Sequence, residues 1–276
     1  MEKQKSIGIF DSGVGGLSIG RAIKNLLPEE DIVYFADIEF SPYGNKPQNI
    51  INQRSEDIVN FLIKQNCKIV VVACNTATVN SISNLRGQVS IPLVGVEPAI
   101  KPAALSSKSG VIGVLATEQT IESDSFKLLE SKYAHHVEIK TKACPKFVSL
   151  VENLNHNSQE AAEAAEQYIR PLLQQGSDQI VLGCTHFSFL TPAIKEVVGE
   201  GVNIIDTAIP VAMQVKRVLE KLNLEKEPAL LAGKDSNPII EFWTSGNADQ
   251  VAKSLSKLWK QSIHVSEAKL RTPVIN

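Results

Sequence analysis

Two segments of the chain repeat one short pattern, Val70-Val71-Val72-Ala73-Cys74-Asn75-Thr76 and Ile180-Val181-Leu182-Gly183-Cys184-Thr185-His186. Each is an apolar run, then a small residue, a cysteine and a polar pair. Short apolar runs without alternation predict strands buried on both faces, as in a parallel sheet. The two cysteines lie 110 residues apart. A second correspondence has nearly the same offset: Ile7–Phe10 ends in Asp11-Ser12-Gly13, and Val111–Leu115 ends in Ala116-Thr117-Glu118, 106 residues on. Two signals at nearly one offset predict two similar half-domains. Thiols in equivalent places on such halves can face one substrate from opposite sides. That arrangement suits moving a proton from one face of a carbon to the other.

The rest of the chain alternates in the same way. Strands are expected at Ser6–Phe10, Asp31–Ala36, Ile69–Ala73, Leu93–Val96, Gly110–Leu115, Val137–Thr141, Gln179–Leu182, Asn203–Ile205 and Ile239–Trp243. Helical spacing of apolar residues marks Gly16–Leu27, Gln48–Gln65, Ser158–Gln175 and Ala248–Lys260. Gly176 is a suitable helix stop, Asn247 a suitable cap, and Pro171 should kink or split its helix. The expected fold is α/β: two similar lobes of mainly parallel strands flanked by helices, with the site in the cleft between them. Residues 1–97 would form the first lobe and 98–206 the second. Residues 207–276 most simply return to the first. In open parallel sheets, ligands sit beyond the carboxyl ends of the strands, where Asp11, Cys74, Thr117 and Cys184 all fall.

Composition narrows the function classes. A net charge of −2 without a basic stripe argues against nucleic-acid binding. No apolar stretch reaches the roughly 20 residues of a membrane span. Met1–Lys5 runs into Ile7–Phe10 without an apolar leader, so we expect a cytoplasmic protein. The four cysteines, Cys67, Cys74, Cys144 and Cys184, form no disulfide or zinc spacing.

A free cysteine is most often a small buried hydrophobe, and that reading stands for Cys67 and Cys144. Cys74 and Cys184 differ because each stands at a strand end, before groups that can solvate an anion. A helix starting there would lower the thiol pKa and offer N–H groups to a carboxylate. Asp11-Ser12-Gly13-Val14-Gly15-Gly16 fails the dinucleotide pattern, since Ser18 stands at the sixth position from Gly13. It also lacks the Gly-Lys-Ser/Thr of a phosphate loop. What remains is an acid and a hydroxyl suited to a small polar substrate. His186 fits a proton partner better than a zinc ligand, because His135, His136, His156 and His264 supply no matching spacing. Taken alone, Tyr43-Gly44 reads as a surface turn and Glu152 as a solvated acid.

Together these segments resemble the glutamate racemases, cofactor-independent amino-acid racemases of bacterial cell-wall synthesis. The matching stretches are Ile9–Leu17, Pro42-Tyr43-Gly44, Ala73–Thr78, Gly95–Ala99, Ala116-Thr117 with Thr120, and Leu182–His186, in the family's order. The resemblance implies two α/β lobes with Cys74 and Cys184 as the two acid/base residues. Asp11 would support Cys74, while His186 and Glu152 would support Cys184. Asp11, Ser12, Tyr43, Gly44, Asn75, Thr76, Thr117, Thr120, Thr185 and His186 would hold glutamate. It further implies no cofactor and no metal, a homodimer, and a C-terminal segment that rejoins the first lobe. Two departures flank these residues: Phe187-Ser188 replaces the usual tyrosine-proline, and Lys146 and Ser149 replace an apolar residue and a proline. Rival readings are an aspartate or hydantoin racemase, a two-lobed amino-acid-binding protein, and a hydrolase or redox enzyme with one active thiol.

Overall fold

The computed structural model of the protein describes residues 2–226 and 238–272. Residues 1, 227–237 and 273–276 of the expected first lobe therefore lie outside the described residues. The first run of elements is β1 (Ser6–Asp11), α1 (Leu17–Leu26), β2 (Ile32–Ala36), α2 (Gln48–Lys64), β3 (Cys67–Val72), α3 (Asn75–Gln88) and β4 (Leu93–Gly95). Next come α4 (Ile100–Ser106), β5 (Val111–Ala116), α5 (Glu118–Glu122), α6 (Asp124–Tyr133), β6 (Glu138–Ala143) and α7 (Pro145–Glu152). They are followed by α8 (Gln159–Gln174), β7 (Gln179–Gly183), α9 (Thr191–Val198), β8 (Asn203–Ile205) and α10 (Ala208–Leu222). The last are β9 (Ile240–Thr244), α11 (Ala248–Trp259) and β10 (Val265–Glu267).

Two parallel sheets result. Their strand orders are β10-β9-β2-β1-β3-β4 and β6-β5-β7-β8. The order β2-β1-β3-β4 thus recurs as β6-β5-β7-β8, the repeat expected from the matching offsets. In each, the chain leaves the first strand, pairs to one side, and then crosses to the other. That crossing opens a crevice between β1 and β3 and between β5 and β7, at their carboxyl ends. Asp11 and Cys74 border the first crevice; Thr117 and Cys184 border the second. The C-terminal strands β9 and β10 extend the first sheet beyond β2.

Burial follows the two-residue period of the strands. Ile7, Ile9, Tyr34, Ile69 and Val71 face one layer, and Phe10, Val33, Phe35, Val70 and Val72 face the other. Both faces of the central strands β1, β2, β3, β5 and β7 are covered, so these strands carry no polar side, which is why their sequences do not alternate. The layer holding Ile7 and Ile9 is continuous with Leu115, Ile180 and Leu182 of the second sheet and with Phe187 and Leu190. One apolar core therefore ties the two sheets together behind the site. Each fully buried aliphatic side chain in it contributes about 1.5–3 kcal/mol.

Local signals explain several helix ends. Ser158 caps α8 by accepting from the Ala161 N–H, and Asn247 caps α11 by accepting from the Gln250 N–H. Gly176 follows α8 with φ +90°, a left-handed value that glycine adopts without strain. Three expectations need correction. Pro171 does not split α8, which runs on to Gln174. The proline lies in the exposed last turn and forgoes only its own bond to the Gln167 carbonyl. β10 has no counterpart among the expected strands, because Val265-Ser266-Glu267 has no apolar run; pairing with β9 makes it a strand. α3 has no clean apolar stripe, being rich in Asn, Ser and Thr, and its cap rather than its periodicity defines it.

One charge lies within the apolar stripe of α2. Arg54 is one turn from both Ile50 and Ile58 and is fully buried. Its Nε and Nη2 donate to the two oxygens of buried Asp37 at 3.0 and 2.5 Å, and Nη1 donates to the Arg271 carbonyl at 2.8 Å. Tyr43 donates its hydroxyl to the same Asp37 carboxylate at 2.5 Å. Removing one member of a buried pair strands the other charge in a medium that cannot solvate it. Arg54→Met should therefore lower the unfolding free energy by about 3–5 kcal/mol in urea titrations. A loss below about 1 kcal/mol would mean that the pair is effectively solvated.

Candidate active site

Cys74 follows β3 and caps α3: its Sγ accepts from the Ala77 N–H at 3.4 Å. The thiol is directed to Ser12 Oγ at 3.7 Å. Cys184 follows β7, but the segment after it, Thr185–Leu190, is a 3-10 helix before α9 begins. The equivalent strand ends thus lead into different turns. Cys184 Sγ lies 3.7 Å from His186 Nδ1, and His186 Nε2 lies 2.6 Å from Glu152 Oε1. Glu152 is the last residue of α7, so a helix end, not a loop, presents it.

The two sheets meet at these groups. Thr185 donates to Asp11 Oδ1 at 3.3 Å, and the Val14 N–H donates to Glu152 Oε1 at 3.1 Å. Thr76 from the first unit, with Thr117 and Thr120 from the second, forms a closed set of hydroxyls 2.9–3.3 Å apart. Asn75 donates to the Val96 carbonyl at 3.4 Å, while its Oδ1 is buried without a partner among the described residues. Gly44 packs against Thr117; a Cβ there would come within 2.9 Å of the threonine Cβ. All the residues singled out in the sequence therefore gather in one place. Tyr43 differs in its detail, because its hydroxyl is committed to Asp37.

Cys74 and Cys184 are 5% and 7% exposed, and Asp11 and His186 are buried as deeply, so the site is shut from solvent. Glu152 is the more open member: its side chain is 21% exposed. It borders a cavity of about 470 Å³ that Val14, Ser41, Pro42 and Val148 also line.

Electrostatics distinguish the two sides. Burial pushes the Cys74 thiol well up, and the neighbouring Asp11 adds to this, while the Ala77 N–H offsets only part. The expected lowering by a helix start is thus overturned for Cys74: loss of water outweighs one N–H bond. Burial also raises the Asp11 carboxyl, against the opposing pull of His186 and the Gly16 and Gly13 amides. For His186 burial acts downward, but hydrogen bonds to Cys184 and Glu152, with the charges of both, outweigh it. The imidazole is held well above the ordinary value of about 6.5. A cation therefore stands beside Cys184, and a buried acid beside Cys74.

Sequence reasoning missed several contributors. A Cβ at Gly13 would overlap Glu152 Oε1, and one at Gly15 would overlap the His186 ring. These glycines are required by close approach across the cleft and not by a phosphate. Arg54 carried a signal, a charge inside an apolar stripe, and Asp37 ended a strand as Asp11 does.

Fold and site together define a class: a two-sheet α/β protein whose paired crevices enclose two thiols with unlike partners. The model of the Asp/Glu/hydantoin racemase family matches residues 17–215. The chain is 42% identical over 253 residues to a glutamate racemase of Methylococcus capsulatus, covering 92% of this chain and 91% of that one. The crystal structure of a Bacillus anthracis glutamate racemase superposes with a TM-score of 0.86 at 30% identity, covering 99% of this chain and all of that one. A Francisella tularensis glutamate racemase solved with D-glutamate superposes with a TM-score of 0.83 at 26% identity, covering 97% and 98%. The chain belongs to the Asp/Glu/hydantoin racemase family.

The elevated His186 has a thermodynamic consequence. Below about pH 6.5 the imidazole is protonated in both folded and unfolded chains. As the pH rises further, the unfolded chain loses its proton first, so the folded state binds more protons and stability falls. The stability advantage of the wild type over His186→Gln should therefore be largest near pH 6 and shrink as the pH rises through the folded-state value. Urea unfolding at a series of pH values checks this; a constant difference would exclude the protonated imidazole.

Proposed function

We propose that the protein is a glutamate racemase that moves the Cα proton of glutamate between Cys74 and Cys184 without a cofactor. The observation that carries this reading is the pair of thiols at equivalent strand ends with unlike partners. Asp11 and Ser12 stand by Cys74, and His186, backed by Glu152, stands by Cys184. The bound D-glutamate of the Francisella tularensis relative supports the choice of substrate.

One sulfur, as thiolate, takes the α-proton from one face of the carbon. The other, as thiol, gives its proton to the opposite face of the resulting carbanion. Turnover leaves the two sulfurs with exchanged protonation states, so the reverse reaction uses the same atoms in opposite roles. The unlike surroundings supply the required asymmetry. Burial and Asp11 favour a protonated Cys74, while Cys184 has the His186 imidazole 3.7 Å away as its proton partner. Glu152 acts through the imidazole, so its loss costs less than loss of either sulfur. The Thr76, Thr117 and Thr120 hydroxyls, with Thr185 and Ser12, offer donors to carboxylates. Asn75 Oδ1 offers an acceptor to the ammonium group. Tyr43 and Gly44 contribute by shaping the turn against Thr117.

A well-placed base contributes about 10²–10⁴-fold. The remainder must come from donors aimed at the charge developing on the α-carboxylate, in a site closed to water. The sheets meeting at the thiols provide that closure, and opening of their polar contacts admits substrate. The reading extends to two lobes, 1–97 with 207–276 and 98–206, in a cytoplasmic homodimer that supplies D-glutamate to peptidoglycan. Pairing of β9 with β2 supports the return of the C-terminal segment to the first lobe.

In D₂O, the purified protein should place deuterium at Cα of glutamate while interconverting the enantiomers with nothing added. Cys74→Ser and Cys184→Ser should each abolish interconversion, as followed by circular dichroism. Wild-type activity in either variant would rule out the two-thiol reaction. Faster turnover of aspartate than of glutamate would overturn the substrate assignment.

A further inference from the structure

Tyr34 lies in the middle of β2, 1% exposed, with no place among the thiols or their partners. Its hydroxyl donates to the Gly13 carbonyl at 3.0 Å. The next amide of the loop, the Val14 N–H, donates to Glu152 Oε1 at 3.1 Å. The Gly13 carbonyl and the Val14 N–H belong to one planar peptide group, so fixing one end aims the other. On the near side the Gly13 N–H donates to Asp11 Oδ2 at 3.1 Å. One short stretch of backbone thus touches the partner of Cys74 and the partner of His186.

That stretch has little stiffness of its own. Gly13, Gly15 and Gly16 flank it, and glycine leaves the backbone more conformations than any other residue. None of the three can gain a Cβ: Glu152, His186, and Asp11 with the Tyr34 hydroxyl occupy the respective spaces. A loop that must be glycine-rich to admit the acid and the histidine needs an external tether. Tyr34 is well placed to supply one. Its ring sits against Phe242 of β9 at 6.0 Å between centroids, and Phe242 packs edge-on against Trp259 at the end of α11.

We propose that Tyr34 is a positioning residue whose hydroxyl locks the Gly13–Val14 peptide, and through it the Glu152–His186 pair that serves Cys184. This rests on the racemase reading. Burial, with Asp11, Glu152 and Cys74 nearby, holds the phenol well above its usual range, so it remains a donor throughout the working pH. Without the hydroxyl the Gly13 carbonyl is buried and unpaired, and the peptide is free to rotate its N–H away from Glu152.

Tyr34→Phe removes the donor and keeps the ring, so the packing on Phe242 survives. Its kcat for glutamate should fall about tenfold with KM changed less than about twofold, the loss expected for a hydrogen bond that acts on the reacting groups and not on binding. Introduced into Glu152→Gln, the same change should cost less than about threefold, because the two act as one unit. Hydrogen–deuterium exchange at the Val14 amide, read by mass spectrometry or NMR, should be faster in Tyr34→Phe than in wild type. A Tyr34→Phe protein with wild-type kcat, fully multiplicative losses in the double variant, or an unchanged Val14 exchange rate would each overturn the proposal. A wild-type protein that does not racemise glutamate would instead overturn the reading beneath it, and the exchange measurement separates the two failures.

Discussion

The site depends on how closely the Asp11–Gly16 loop approaches the Glu152–His186 pair. Asp11 ends a strand of the first sheet, and Glu152 ends a helix packed on the second. The Val14 N–H reaches Glu152, Thr185 reaches Asp11, and the glycines leave no side chain between them. Burying a polar group without a partner is costly, and here each side satisfies groups of the other. Separating the two sheets would expose an acid, an imidazole and a set of threonine hydroxyls together. The polar contacts and the apolar core behind them therefore form one junction between the sheets.

Symmetry of backbone and asymmetry of chemistry coexist in this arrangement. The recurrent strand order sets both cysteines at the same kind of crevice. The turn after each cysteine is different: an α-helix capped by the sulfur at Cys74, a 3-10 turn at Cys184 that brings His186 back to it. The backbone repeat therefore does not extend to the groups beside each sulfur.

Much of this was legible in the residues. The unalternating apolar runs announced parallel strands, the two offsets announced the repeat, and the failed nucleotide and phosphate patterns left a small polar site at the strand ends. Legibility failed where a residue's role comes from what lies across the cleft. Without the family resemblance Glu152 reads as any solvated acid, and only the packing of α7 brings it to His186. Tyr43 and Tyr34 looked like a surface turn and a core residue, yet one donates to Asp37 and the other to Gly13. Pro171 marked a break that the exposed last turn of α8 absorbed, and Val265–Glu267 became a strand only because β9 was there to pair with it.

The sequence by itself determined the α/β class, the internal repeat, the strand-end placement of the cysteines and, through the ordered motifs, the family. These are local or periodic properties, written into hydrophobic spacing and turn chemistry along the chain. Only the tertiary structure decided the charge state of the site. Burial outweighed the helix start at Cys74, and the Glu152–His186 contact outweighed burial at the imidazole. Desolvation and through-space charge depend on which atoms surround a group, and residues 138 positions apart, such as Val14 and Glu152, become neighbours only when the sheets come together.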